Sequence, residues 1–342
     1  MRASPHCPTN RPTDSAEEPN SLTLRRAVTY YPAALNLGVI VAEKDLKTIL
    51  KKIHFTDDAQ VMKQIVDQSL QVKLRMGRIR RKIVVMSGKG GVGKSMATAN
   101  LSLALARSGL RVGVLDVDLN GPCIPQMLGV TGGFEFAADG VVPAAGPCGM
   151  KVASMAFLLR ANAPLRWKGP MDLSPVWLGL QEMSVVREFL SDILWGDLDY
   201  LVVDLPPGAA ADKPPVIIGY LPELDGGIVV STPSEVAQAV VRKSIVYARD
   251  LGIRLLGLVE NMSGVFCPKC DTSVPMFDGG SEGLCAELAL PLLGKIPFDP
   301  EMARACDTGT PLSPDHRISR HFDAIAKMVQ SAVEPQAAAV TH

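Results

Sequence analysis

The stretch Ile83-Val84-Val85-Met86-Ser87-Gly88-Lys89-Gly90-Gly91-Val92-Gly93-Lys94-Ser95-Met96 decides how this chain is read. A β-branched apolar run, "IVVMS", stops at a glycine-rich loop, and "MATANLSLALARSG" follows with helical spacing. Residues Gly88 to Ser95 fit G-x-x-x-x-G-K-S in the strand, loop, helix setting that marks a phosphate loop. Glycines let successive backbone N–H groups turn toward a polyphosphate, and the helix N-terminus adds positive partial charge. The expected nucleotide contacts are therefore Gly88, Lys89, Gly90, Gly91, Val92, Gly93, Lys94, Ser95 and Met96. Lys94 is expected on the β- and γ-phosphates of ATP and the Ser95 hydroxyl on Mg2+.

Downstream, apolar runs alternate with helical stretches: "RVGVLDVD", "YLVVDLPPG", "GGIVVSTP", "EVAQAVVRKSIVYARDLG" and "LLGLVENMS". Fully apolar strands between amphipathic helices indicate a mainly parallel sheet covered on both faces. The expected fold is α/β, one doubly wound domain of the P-loop NTPase type over residues 81–330. Upstream, residues 1–22 are polar and proline-rich and read as a disordered tail. Residues 23–80 read as a small helical extension with a basic linker, the helices falling in "LKTILKKI" and "VMKQIVDQSLQVKL". Residues 331–342 read as a second tail.

The charges balance at 35 Lys+Arg against 35 Asp+Glu among 342 residues, so no global attraction to nucleic acid or anionic lipid is expected. The basic run "KLRMGRIRRK" reads as a solvated face or linker rather than a nucleic-acid or lipid contact. No apolar run approaches the ~20 residues of a membrane span. The first twenty residues carry Asp14, Glu17 and Glu18 without an apolar block, so no secretory signal is read there. A cytoplasmic location with no membrane partner follows as the expectation, and the 7 cysteines are then candidates for metal or catalytic roles rather than disulfides.

Two further segments supply carboxylates. "VLDVDLNGP" places Asp116 and Asp118 at a strand end, and "YLVVDLPPG" ends a strand on Asp204 in the position of a Walker B carboxylate, with the Gly208 N–H near the γ-phosphate. Lys89, directly after Gly88, makes the loop resemble the deviant Walker A group of dimeric nucleotide-switch ATPases. That resemblance implies a homodimer in which Lys89 crosses to the partner's nucleotide. It also implies that Asp118 orients or activates the attacking water, with Asp116 nearer the Mg2+ shell. Lys89, Lys94, Asp118 and Asp204 are the expected catalytic residues.

"ENMSGVFCPKC" holds Cys267 and Cys270, two ligands short of a closed four-thiolate site. The missing ligands come from a second chain, from Cys285 and Cys306, or from nowhere, the pair then being a dithiol switch. A site on a two-fold axis satisfies ligand count and symmetry together. Cys7 reads as a free thiol on the tail, Cys123 as a local packing change, and Cys148, Cys285 and Cys306 as small buried residues.

The ordered set "GKGGVGKS", "DVDLNGPCIP", "RWKGPM", "DLPPG", "GLVENMSGVFCPKC" and "LLGKIPFDP", from about Ile83 to about Leu312, resembles the Mrp family of iron-sulfur cluster carrier ATPases, ApbC-like members included. The resemblance implies a homodimer that binds and hydrolyses ATP and holds a labile [4Fe-4S] cluster between the Cys267 and Cys270 pairs of two subunits. A cluster donor would load it and apo iron-sulfur proteins would receive the cluster. It also implies that Asn261 faces the adenine. The chain departs from the pattern at Ala209-Ala210-Ala211, where the family carries threonine in switch II, which leads to an expectation of slow turnover. Two other readings use the same residues: a partition or positioning switch ATPase, and an ATPase dimer stapled by a structural zinc on four thiolates.

Overall fold

Strands whose residues alternate between two apolar layers can be buried on both faces, and the central strands of this chain do so. The computed structural model describes residues 58–118, 121–158, 186–187, 189–208, 217–267, 270, 272–277 and 279–334. The expected tail over 1–22, the helix expected in "LKTILKKI", the "RWKGPM" segment and Ala209 to Asp212 lie outside the described residues.

The strands are β1 (Ile79–Ser87), β2 (Val112–Asp116), β3 (Glu135–Ala137), β4 (Gly140–Val142), β5 (Ala144–Ala145), β6 (Lys151–Ser154), β7 (Leu198–Asp204), β8 (Gly226–Ser231), β9 (Leu255–Phe266), β10 (Ser273–Pro275) and β11 (Leu292–Phe298). The helices are α1 (Asp58–Met76), α2 (Lys94–Arg107), α3 (Ile124–Met127), α4 (Glu235–Asp250), α5 (Glu282–Glu287), α6 (Pro300–Thr308) and α7 (Arg317–Val333). One nine-stranded sheet runs β10-β9-β8-β1-β7-β2-β6-β5, with β11 paired to β9. Its central pairings are parallel, while β5 and β10 join antiparallel. β3 and β4 form a separate hairpin.

In β1, Val84 and Met86 enter one apolar cluster and Ile83 and Val85 the other. The same alternation divides Leu201 and Val203 from Tyr200 and Val202 in β7. α2 and α7 supply the second layer, through Leu105, Phe322 and Val329 among others; α1 and α4 contribute Val72, Met76, Val241 and Ile245 to the first. Each fully buried Val, Leu, Ile or Phe contributes about 1.5–3 kcal/mol.

Among the described residues, two of the six cations of the basic run form ion pairs where it folds. Arg78 pairs with Asp197 and Arg81 with Asp225; outside the run, Arg111, just before β2, forks onto Asp199. Lys82 is buried, and its ammonium donates to the Met76 and Ile79 carbonyls at 3.4 and 3.1 Å, closing the end of α1. Among the described residues no helix is long and apolar enough to cross a membrane.

Asp299 shows how the loop after β11 is fixed. Its carboxylate accepts the Glu301 N–H at 2.8 Å, capping α6, and takes Arg317 Nε at 3.0 Å. Burial works against the Asp299 carboxylate, but the Glu301 N–H, Arg317 and His316 outweigh it and hold its pKa below the usual value. Asp299→Ala is expected to cost about 1–2 kcal/mol in urea unfolding at neutral pH. A lowered folded pKa stabilises above the unfolded value and loses that contribution as pH falls, so the difference should shrink below about pH 4.

Candidate nucleotide site and cysteine pair

The carboxyl ends of parallel strands are where doubly wound sheets bind ligands, and the expected residues gather at that edge. β1 ends at Ser87, whose hydroxyl donates to the Lys89 carbonyl at 3.0 Å, and α2 begins at Lys94. Gly93 holds φ +85°, and a Cβ there would meet the Asn261 amide at 2.2 Å, so both conformation and space require glycine.

Asp116 and Asp204 are register partners on adjacent strands β2 and β7. Both are fully buried. Asp204 Oδ2 accepts Ser95 Oγ at 2.6 Å and lies 2.6 Å from Lys94 Nζ, while Oδ1 accepts Thr98 Oγ1 at 2.6 Å. Asp116 accepts the Asp118 and Ile124 N–H groups, both at 3.2 Å, and Ser154 Oγ at 3.0 Å. Burial first, then the Asp204 charge, push the Asp116 carboxyl up to about 7 against those three hydrogen bonds. The corner thus concentrates negative charge on hard oxygen donors, the chemistry a divalent cation neutralises.

Lys89, half-buried, lies one residue after Gly88 at the start of the loop. β2 ends at Asp116, and Asp118 lies just beyond it, 8% exposed, with Oδ1 accepting the Gly121 N–H at 3.3 Å. The Gly208 N–H donates to the Ser87 carbonyl at 3.1 Å, tying the chain after β7 to the start of the loop.

Three residues of this corner were not anticipated. Thr98 stands four residues after Lys94 on α2, so helical spacing alone turns it toward the same carboxylate. Ser154 is the register partner of Asp116, a relation between strands that no local spacing reveals. Cys123, expected to be mere packing, belongs to the site: burial pushes its thiol up, a hydrogen bond with Ser95 opposes this, and the Asp116 and Asp204 charges add to the rise. The "GPCIP" segment following Asp118 was the available signal.

Asn261 is 2% exposed, and its amide donates to the Val92 carbonyl at 2.9 Å, inside the phosphate loop. The strand expected in "LLGLVENMS" runs further, to Phe266, and Cys267 follows at once. β10 pairs antiparallel with the end of β9, and the Cys267 N–H donates to the Thr272 carbonyl at 2.9 Å, so the cysteine pair occupies a hairpin at the sheet's margin. Cys267 is half-buried and Cys270 exposed. The Arg317 guanidinium carbon stacks 4.1 Å from the Phe266 ring centroid.

Cys285 is buried in the first apolar cluster, and Cys306 packs beside Met302. Among the described residues no group of three or more His, Cys, Asp or Glu is placed to hold a metal ion, so neither joins the pair there. Cys148 corrects its expectation of burial: it is exposed in the turn Pro147–Gly149, at φ 54°. Its apolar sequence neighbours belong to flanking strands, not to the turn.

A strand ending in a glycine-rich loop, a helix opening on Lys94 and Ser95, and a buried strand-end aspartate bonded to both define a P-loop NTPase. Residues 78–332 match the family described as ParA: NUBPL iron-transfer P-loop NTPase. The chain is 42% identical to the "Iron-sulfur cluster carrier protein" of Saccharolobus solfataricus over 284 residues, 81% of this chain and 92% of that protein. It is also 42% identical to the protein of that name from Methanocaldococcus jannaschii, over 80% and 91% of the two chains. The nucleotide-binding protein of Archaeoglobus fulgidus, solved in complex with ADP, matches with TM-score 0.61 and 35% identity over 71% of this chain and 91% of its own. The MinD cell division protein of Aquifex aeolicus, at TM-score 0.50 and 20% identity over 73% and 97%, shares the fold. The chain belongs to the NUBPL iron-transfer P-loop NTPases, the Mrp/ApbC-like family its motifs resemble.

Proposed function

We propose that the protein is an ATP-binding, ATP-hydrolysing carrier of a labile [4Fe-4S] cluster, held between two copies through Cys267 and Cys270 and passed to apo-proteins. The observation that carries this reading is that one strand, β9, meets the phosphate loop through Asn261 and ends at the cysteine pair, Cys267 half-buried and Cys270 exposed. With no third ligand in reach among the described residues, a second copy completes four thiolates by symmetry. Exposed Val274, Met276 and Phe277 on the same hairpin favour burial against another chain. The carrier names of the relatives point the same way.

In this reading Lys94 and the loop amides bind the phosphates, and Lys89 reaches the partner's nucleotide. Asn261 adjoins the adenine. Ser95, Asp116 and Asp204 form an oxygen-donor corner that fits Mg2+, which would supply charge neutralisation on the phosphates. Asp118 orients the attacking water. Ala209 to Ala211 lack the hydroxyl expected in switch II, so turnover is slow relative to binding. The thiols suit a reducing compartment, the cytoplasm.

Metal and sulfide analysis after reconstitution without oxygen tests the reading. It should give four irons and four sulfides per two chains, with visible charge-transfer absorption. A colourless dimer with one zinc would overturn it.

A further inference from the structure

We infer that β9 is the mechanical link between nucleotide and cysteine pair, with Asn261 as the positioning residue at one end and Met262 as its joint. The inference rests on the carrier reading and adds how one site answers the other.

The near end of the link is clamped. Asn261 is buried, donates to Val92, and fills the space a Cβ on Gly93 would need, so the phosphate loop cannot shift without displacing it. Just before it, Glu260 is 1% exposed and accepts the Ser281 N–H, with Lys295 Nζ 3.5 Å from its other oxygen. The far end is clamped as well. Phe266 lies under Arg317, which Asp299 holds, and Cys267 is bonded to Thr272.

Between the clamps the strand is irregular. Ile296 of β11 faces Asn261, but Phe298, two residues on, faces Val265, four residues on. The surplus length on β9 is taken up in Met262, Ser263 and Gly264. Met262 holds φ 57°, a left-handed conformation in a residue that is not glycine. Such strain persists only where surroundings over-determine it, and it characterises switch regions. About 20 Å of extended chain separate Asn261 from Cys267 at most, and displacement between them must pass through this joint. A stiff joint transmits it. A glycine there, free at positive φ, would absorb it.

The test uses the full-length reduced protein without cluster, labelled with N-ethylmaleimide with and without a saturating non-hydrolysable ATP analogue and Mg2+. Labelling of Cys267 and Cys270 is read by mass spectrometry, with exposed Cys148 as internal reference. The wild type should show about a fivefold or larger change in labelling rate between states, the lower bound of ordinary allosteric coupling. Met262→Gly should reduce that ratio to below about twofold while a fluorescent analogue confirms saturation. Met262→Ala, which keeps the strained backbone, should retain the ratio. Asn261→Ala at saturation should lose it. A wild type without a ratio, a Met262→Gly protein with the full ratio, an Asn261→Ala protein that keeps it, or equal loss in both Met262 variants would overturn the inference. Because no iron enters the experiment, a protein that fails to build a cluster yet keeps the ratio defeats the carrier reading alone.

Discussion

Cys267→Ala is expected to abolish stable cluster binding, with iron and sulfide content after anaerobic reconstitution falling by more than about tenfold and the visible absorption lost. The magnitude follows from ligand count. Each chain offers two thiolates, so the substitution takes two of four from a symmetric site and leaves a pair that no other described group can supplement. Loss of an outer-shell partner alone costs 10–100-fold in metal affinity, and loss of a ligand costs more. Cys270→Ala should behave alike. Cys148→Ala, at an exposed turn outside the hairpin, should leave iron content unchanged and so controls for general thiol loss. Retention of a full complement of iron in Cys267→Ala would exclude the pair as the ligand set.

Lys94→Ala is expected to reduce ATP turnover by about 100-fold or more, as removal of a preorganised cationic or donor group on developing charge does. The empty protein should also suffer. Lys94 is 6% exposed and touches Asp204 at 2.6 Å, so its loss leaves the buried Asp204 carboxylate without its cation, next to the second buried carboxyl of Asp116. Breaking a buried pair from one side costs about 3–5 kcal/mol, a loss visible in thermal unfolding without nucleotide. Nucleotide binding by equilibrium dialysis separates the two effects. Turnover equal to wild type would remove Lys94 from the chemistry.

The phosphate loop and the order of strands and helices were legible because their signals are local: glycine spacing, apolar runs and helical periodicity within a few residues of one another. The buried aspartate beside the loop was legible for the same reason, since Asp204 directly ends an apolar run. What escaped depends on register between distant segments. Ser154 reaches Asp116 only because β6 pairs with β2 in one alignment, and Cys123 meets Ser95 only once α3 folds back over the strand end. The extent of β9 escaped because Met262, Ser263 and Gly264 read as the end of a strand. The sheet tolerates them as a slip in register instead. Lys82 shows the limit of charge counting: one member of a basic run became a buried cap.

That cap has a consequence for where a working protein can begin. The stretch matched to the family starts at residue 78, but Val72 and Met76 are built into the first apolar cluster, and Arg75 donates to the Asp139 and Asp192 carbonyls. A chain cut at residue 78 would strip Lys82 of its Met76 acceptor and open the cluster around fully buried Trp195. The family's matched core and the cooperative fold have different borders here: α1 lies outside the first and inside the second.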